Sequence, residues 1–249
     1  REAAIFYWLR NFSRASLTFV GTLISALLVW LAVSSTGNLT IRELENTGQA
    51  RLALYDSSLR AAIDRYRYLP YVVARHHQVI EAILKQGTAH IANLYLQRVN
   101  ERSGAAALYI LDRTGQTVAS SNWNTPDSFV GEDYSFRPYF NQSIAGSEGF
   151  FFGIGVTTGR AGLFISNPIR QDGEAIGVVV VKLELDELEQ NWQEGGETVF
   201  VADADGVITL TSRGDWKYRT VSPLSDQDRD RIVRNRQYSG RELTSLDVG

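Results

Sequence analysis

The apolar side chains fall in three stretches with three different periods. The 19 residues Ala15 to Val33 are almost wholly apolar, with no charge between Arg14 and Arg42; at about 1.5 Å each they cover roughly 28 Å, close to a bilayer's hydrocarbon core. Then Ile41, Leu44, Leu52, Tyr55, Leu59, Ile63 and Tyr66 recur at three- and four-residue steps or their sums, one stripe along a long helix. Pro70 should kink or break it, and two further helical stretches follow at about Tyr71–Lys85 and Ala89–Arg102. From Ala105 the pattern turns to strands. Residues Ala107–Ser121 match Thr198–Ser212 at an offset of 91 residues, each an apolar strand, an Asp-x-x-Gly turn and a second strand. Gly115 and Gly206 supply the positive φ that such a tight turn needs. Between the hairpins come a loop (Asn122–Tyr134), a helix (about Phe136–Ala145) and strands near Gly149–Gly155, Gly162–Arg170 and Glu174–Leu183, the last two joined through Gln171-Asp172-Gly173. The stretch Ile176–Val181 is apolar on both faces, as a central strand is. Asp186–Trp192 reads as a short linking helix and Asp226–Arg236 as a polar one.

Antiparallel strands flanked by helices define an α+β class, and two equivalent hairpins imply two domains of one type in tandem. The expected organisation is a cytoplasmic N-terminus at 1–14, a transmembrane helix at 15–35, a long helical stalk with further helices at 36–102, a first domain at 103–192 and a second at 193–249. Arg1, Arg10 and Arg14 stand against Glu2 before the apolar run, whereas Arg42 and Arg51 face Glu43, Glu45 and Asp56 after it. The positive-inside rule then puts everything from about residue 42 outside the cytoplasm, with Trp30 near an interface. A cleaved signal peptide is the other reading, but the run is long for one and Ala32-Val33-Ser34 is a poor cleavage site.

Composition removes several functions. The chain of 249 residues has no cysteine, which excludes disulfide frameworks, thiol nucleophiles and cysteine zinc sites. Its net charge is −3, and the first 41 residues carry +2, leaving −5 for the remainder, a poor partner for nucleic acid. His76 and His77 are adjacent and His90 is alone, a weak basis for a metal or catalytic site. Ser166 has no base within its own domain, so an exported hydrolase is a distant reading. The chain begins at Arg1 and has no methionine, from which a longer parent is expected.

The candidate chemistry lies in two cations. Lys182 ends the run Gly177–Val181, a strand too apolar to face water, and Arg137 lies in Tyr134–Phe140 beside a predicted helix. A buried ammonium is costly unless an anion or acceptor meets it. Two such cations would make a site for two negative groups, as on a small dicarboxylate. The alternative is a surface lysine past a strand end, with Arg137 in a structural ion pair.

A membrane helix, a long helix and two hairpin-bearing domains resemble the double Cache (PDC-type) sensor modules of bacterial receptors. The similarity is strongest in Asp133–Asn141 (DYSFRPYFN), Thr157–Pro168 (TTGRAGLFISNP) and Ile176–Glu189 (IGVVVVKLELDELE), which resemble the four-carbon dicarboxylate sensor histidine kinases. The resemblance implies two PAS-like domains with antiparallel sheets, the membrane-distal one at 103–192 binding ligand. Arg137 and Tyr139 then match helix residues that hold one carboxylate, and Thr157, Thr158 and Ser166 match hydroxyl donors. Lys182 matches the cation for the second carboxylate, with Phe152 and Gly155 as the wall. Amino-acid-binding relatives carry an aspartate near the place of Lys182, so this chain favours a dicarboxylate. The resemblance also implies a homodimer in the inner membrane, a periplasmic sensor region, a cognate response regulator, and ATP and magnesium for the parent kinase, with no cofactor in this segment. No phosphoacceptor box or nucleotide-binding glycine pattern occurs, so kinase domains would lie beyond Gly249. The same module on a chemoreceptor or a cyclic-dinucleotide enzyme, taking another organic acid or an amino acid, is the alternative.

Overall fold

The computed structural model describes residues 45–85 and 87–246. The predicted span at 15–35 lies outside the described residues, as do Ile41 and Leu44; among the described residues no helix is long and apolar enough to cross a membrane. The chain divides into two compact units at Ser57 and Ser58. Residues 45–57 of the first unit are helical, with Leu52 and Leu54 exposed. The second unit opens with helix α1 (residues 58–67), whose stripe positions Ile63 and Tyr66 pack on the core.

Pro70 interrupts the helix as its chemistry requires, sitting in the first turn of α2 (Leu69–Val73). The continuous helix expected over Tyr71–Lys85 is instead broken at Ala74–His76. His76 is extended, and its Nδ1 accepts from the Gln78 amide at 3.4 Å, starting α3 (His77–Leu84). Helix α4 (Ala89–Ser103) ends on Gly104 in the left-handed region.

The centre of this unit is an antiparallel sheet of β1 (Ala107–Asp112), β2 (Thr117–Ser120), β3 (Gly149–Ile154), β4 (Ala161–Gln171) and β5 (Glu174–Leu183), in the order β2-β1-β5-β4-β3. The β4–β5 turn has positive φ at both Asp172 (51°) and Gly173 (89°), the geometry that suits a two-residue hairpin. The apolar run of β5 is the central strand, and the alternation of its side chains separates two cores. Val179 and Val181 join Leu108, Ile110, Ile165 and Ile169 against Val73, Val79 and Leu96 of the helices. Val178 and Val180 face the other way, onto Tyr109, Tyr139, Phe151 and Phe164. Each fully buried aliphatic or aromatic side chain contributes about 1.5–3 kcal/mol, so both layers hold β5 in place. Lys182 continues the second series and is thereby delivered into the aromatic layer.

The helix expected from Phe136 starts later, as α5 (Pro138–Ile144), because a residue before proline is pushed out of the helical region; Arg137 is extended (ψ 134°). Helix α6 (Asp186–Glu194) leads to a small sheet of β6 (Phe200–Ala202) and β7 (Ile208–Thr211), then to α7 (Asp226–Arg234). The second hairpin repeats the first in detail: Asp112 Oδ1 accepts from the Thr114 and Gln116 amides, and Asp203 Oδ1 from those of Asp205 and Val207. The division expected at 192 and 193 is bridged by a shared apolar cluster, in which Ile154 and Phe152 of β3 pack with Val207, Leu224, Ile232 and Tyr238.

Gly115 and Gly173 have nearly equal φ (91° and 89°), but a methyl group at Gly115 would lie 2.6 Å from Ser135 Cα, whereas one at Gly173 would meet nothing. Gly115→Ala is expected to cost about 3 kcal/mol and Gly173→Ala about 1 kcal/mol in urea denaturation, backbone strain alone accounting for the smaller loss. Equal losses would show that the loop at Ser135 does not abut the hairpin.

Candidate functional site

The aromatic face of the five-stranded sheet closes over a cavity of about 10 Å³, room for about one water molecule. Of the eight residues singled out from the sequence, five line it: Arg137, Tyr139, Gly155, Thr157 and Lys182. Thr158 adjoins it through Lys182. The remaining walls are Tyr109, Phe129, Tyr134 and Phe164.

Lys182 is 1% exposed, and its Nζ donates to Thr158 Oγ1 at 2.9 Å and to Glu184 Oε1 at 3.3 Å. Burial pulls the ammonium below the usual lysine range, and the Glu184 carboxylate partly opposes this. Two glycines make room for it. A methyl group on Gly162 would lie 3.0 Å from Lys182 Cε and 2.6 Å from the Leu183 carbonyl, and one on Gly155 would lie 2.8 Å from Thr158 Oγ1. The loop between β3 and β4 is held down by Gly155, whose amide donates to the Arg160 carbonyl at 2.9 Å. It places Thr157 Oγ1 2.7 Å from the Tyr134 hydroxyl, and Thr158 on Lys182.

Arg137 is also 1% exposed, but its bonds are with backbone. Nη2 donates to the Ile154 carbonyl at 2.7 Å, and Nη1 to the carbonyls of Asn235 and Arg236 at 3.1 and 3.2 Å, just past the end of α7. Carbonyls at a helix C-terminus carry partial negative charge and lack intrahelical donors, so a guanidinium suits them. Burial lowers the Arg137 pKa from its ordinary value. Phe136, Phe151 and Phe164 rings lie 5.2–5.9 Å from its guanidinium carbon. The Tyr139 and Tyr109 hydroxyls share a 2.8 Å hydrogen bond, and burial raises both phenols. Tyr134 is pushed up to about 12, also by burial. These phenols stay neutral donors in the physiological range.

Two sequence-derived residues lie elsewhere. Phe152 is on the opposite side of β3 from Phe151 and packs in the cluster with Ile232 and Tyr238, so it is not a wall of this cavity. Ser166 shares the aromatic face but lies further along β4, bonded to Ser143 Oγ at 2.8 Å and the Tyr139 carbonyl at 2.9 Å. Tyr109, Phe129, Phe164 and Glu184 were not singled out; the alternation of β1 and β4 points two of them at the cavity. The arrangement offers cationic, hydroxyl and phenolic donors between aromatic walls, a setting for a small anion.

The Cache domain family dCache_1 matches residues 30–245. The C4-dicarboxylate transport sensor protein DctB of Rhizobium meliloti (strain 1021) is 35% identical over 203 residues, 80% of this chain and 33% of that protein. Its namesake in Pseudomonas aeruginosa is 34% identical over 199 residues, 79% of this chain and 32% of that protein. The chain thus spans about a third of the length of these curated relatives. The crystal structure of the V. cholerae histidine kinase DctB sensor domain is 34% identical with a TM-score of 0.77, covering 82% of this chain and 81% of that one.

A buried ammonium weighs against folding, and Lys182→Met removes that cost without stranding Glu184, which is partly exposed and keeps Arg160 as its counter-ion. Lys182→Met should therefore raise stability by about 1 kcal/mol at pH 7. Because the folded-state pKa of Lys182 is depressed, the unfolded chain binds more protons between the two pKa values, and wild-type stability rises with pH there. The advantage of Lys182→Met should shrink as pH rises towards the ordinary lysine range. Melting temperatures of both proteins across that range test this, and a constant difference would contradict it.

Proposed function

The chain belongs to the dCache_1 family of Cache domains, and we propose that it is the extracytoplasmic sensing region of a two-component histidine kinase, binding a small dicarboxylate of the succinate, malate or fumarate type. The observation that carries this reading is Lys182, an ammonium held in the aromatic layer with Thr158 beside the cavity that Arg137 also lines. Two cations separated by hydroxyl and phenol donors complement a ligand with a carboxylate at each end. The relatives named as C4-dicarboxylate sensors support the same ligand class.

A four-carbon diacid is larger than a cavity of about 10 Å³, so binding has to open it. The groups that would move are the β3–β4 loop, through Thr157 and Thr158, and the Arg137 guanidinium. Since Arg137 also holds the carbonyls of Asn235 and Arg236, a ligand that draws on it alters the hold on α7. That gives ligand binding a differential effect on two arrangements of the protein, the requirement for a signal. In this reading Ala15–Val33 anchors the chain in the inner membrane, residues from about 42 lie in the periplasm, and the helical stripe at Leu52, Tyr55 and Leu59 pairs with a second copy. Kinase domains using ATP and magnesium, and a response regulator that controls dicarboxylate uptake, complete the pathway.

Calorimetry with succinate and malate tests the ligand. Lys182→Ala should weaken binding by about 2–5 kcal/mol, since a carboxylate would be left buried and unpaired. Butyrate should bind wild type poorly, because it leaves one cation unmet. Succinate affinity of Lys182→Ala within threefold of wild type would end the case for this site.

A further inference from the structure

Glu184 follows directly on β5, two residues past Lys182, and stands between two cations of opposite exposure. Its Oε1 lies 3.3 Å from Lys182 Nζ and its Oε2 3.3 Å from Arg160 Nη1. The Lys182 side chain is 2% exposed, that of Glu184 25% and that of Arg160 71%. The carboxylate is therefore shared between a cation inside the aromatic layer and one at the surface.

Resting on the reading of Lys182 as the seat of a ligand carboxylate, we propose that Glu184 is a positioning residue that sets the affinity of the site: its carboxylate holds the place on Lys182 that a ligand carboxylate takes, and binding hands it over to Arg160. Three observations favour an exchange over a fixed ion pair. The 3.3 Å contact to Lys182 is longer than the 2.7–2.9 Å of a strong charge-assisted bond. Lys182 has a second acceptor in Thr158, which keeps it placed when Glu184 leaves. Glu184 already has its next partner, in contact and facing water.

The exchange frees Lys182 for the ligand. Once Glu184 has moved to Arg160, Lys182 and Arg137 are the two buried cations left for the ligand, and a dianion meets both where a monoanion meets one. A ligand with one carboxylate displaces Glu184 from Lys182 and leaves Arg137 unmatched, so Glu184 imposes its cost on every ligand while only a diacid recovers it at both ends. Removing the Glu184 charge would leave Lys182 without its counter-ion, and any carboxylate would then gain by supplying one.

Binding of succinate and of butyrate to the whole chain in detergent, by calorimetry, tests this with four variants. Glu184→Gln is expected to bind succinate and butyrate each about tenfold more tightly, because Glu184 occupies Lys182 against either ligand. Arg160→Ala, which removes the receiving cation at an exposed position, is expected to weaken succinate about tenfold. The double variant should return to the level of Glu184→Gln, because no carboxylate is left to rehouse. Succinate binding that is lost in Lys182→Ala but unchanged or weaker in Glu184→Gln would overturn the role of Glu184 alone. Wild-type binding retained in Lys182→Ala would overturn the ligand site and this proposal together.

Discussion

Two cations buried on one face of a sheet constrain everything around them. Taking a charge out of water costs several kcal/mol even after relaxation, so each needs acceptors delivered by the fold. Arg137 receives its acceptors from the Ile154 carbonyl at the end of β3 and from Asn235 and Arg236, 98 and 99 residues further along the chain. It caps a helix that it does not belong to. Its extended backbone before Pro138 aims it off α5 and makes that reach possible. The cost of burying the guanidinium and the open carbonyls at the end of α7 thus offset one another, tying the five-stranded sheet to the segment that follows α7. Gln237 reinforces the same seam: its carbonyl accepts from the Ile154 amide and its Nε2 donates to the Phe152 carbonyl.

Lys182 is solved differently. Among the described residues its acceptors are local, from a six-residue loop and from the residue two further along its own strand end. Gly162 and Gly155 give it space by lacking a side chain, at some cost in sheet and loop stability. Such expenditure is out of place in a lysine kept only for packing, since an apolar residue would fill the position with less loss. A residue that works against stability while held in defined geometry supports the proposal that Lys182 serves a ligand.

Much of the fold was legible in the chain because its signals are local. Asp-x-x-Gly between alternating strands, Asp172-Gly173 at a hairpin and an unbroken valine run each fix their element with neighbouring residues. The break at Ala74–His76 was not legible, since it rests on one imidazole accepting an amide and on packing against the sheet. In the site, Lys182 could be placed because a strand of period two decides its face. Phe150, Phe151 and Phe152 could not, because three aromatics in a row hide the register, and a slip of one residue exchanges the faces. The strand geometry puts Phe151 on the aromatic layer and Phe152 in the other core. The backbone partners of Arg137 were beyond sequence reasoning altogether, as nothing near residue 235 announces that its carbonyls need a donor.

A crystal structure of the succinate-bound protein tests most directly whether a diacid binds between Lys182 and Arg137. One carboxylate is predicted on Lys182 and Thr158 and the other at Arg137, with Glu184 turned to Arg160 and the β3–β4 loop displaced from Tyr134. Succinate lying instead in the groove of about 550 Å³ beside Ile232 and Tyr238, with Lys182 still on Glu184, would contradict it.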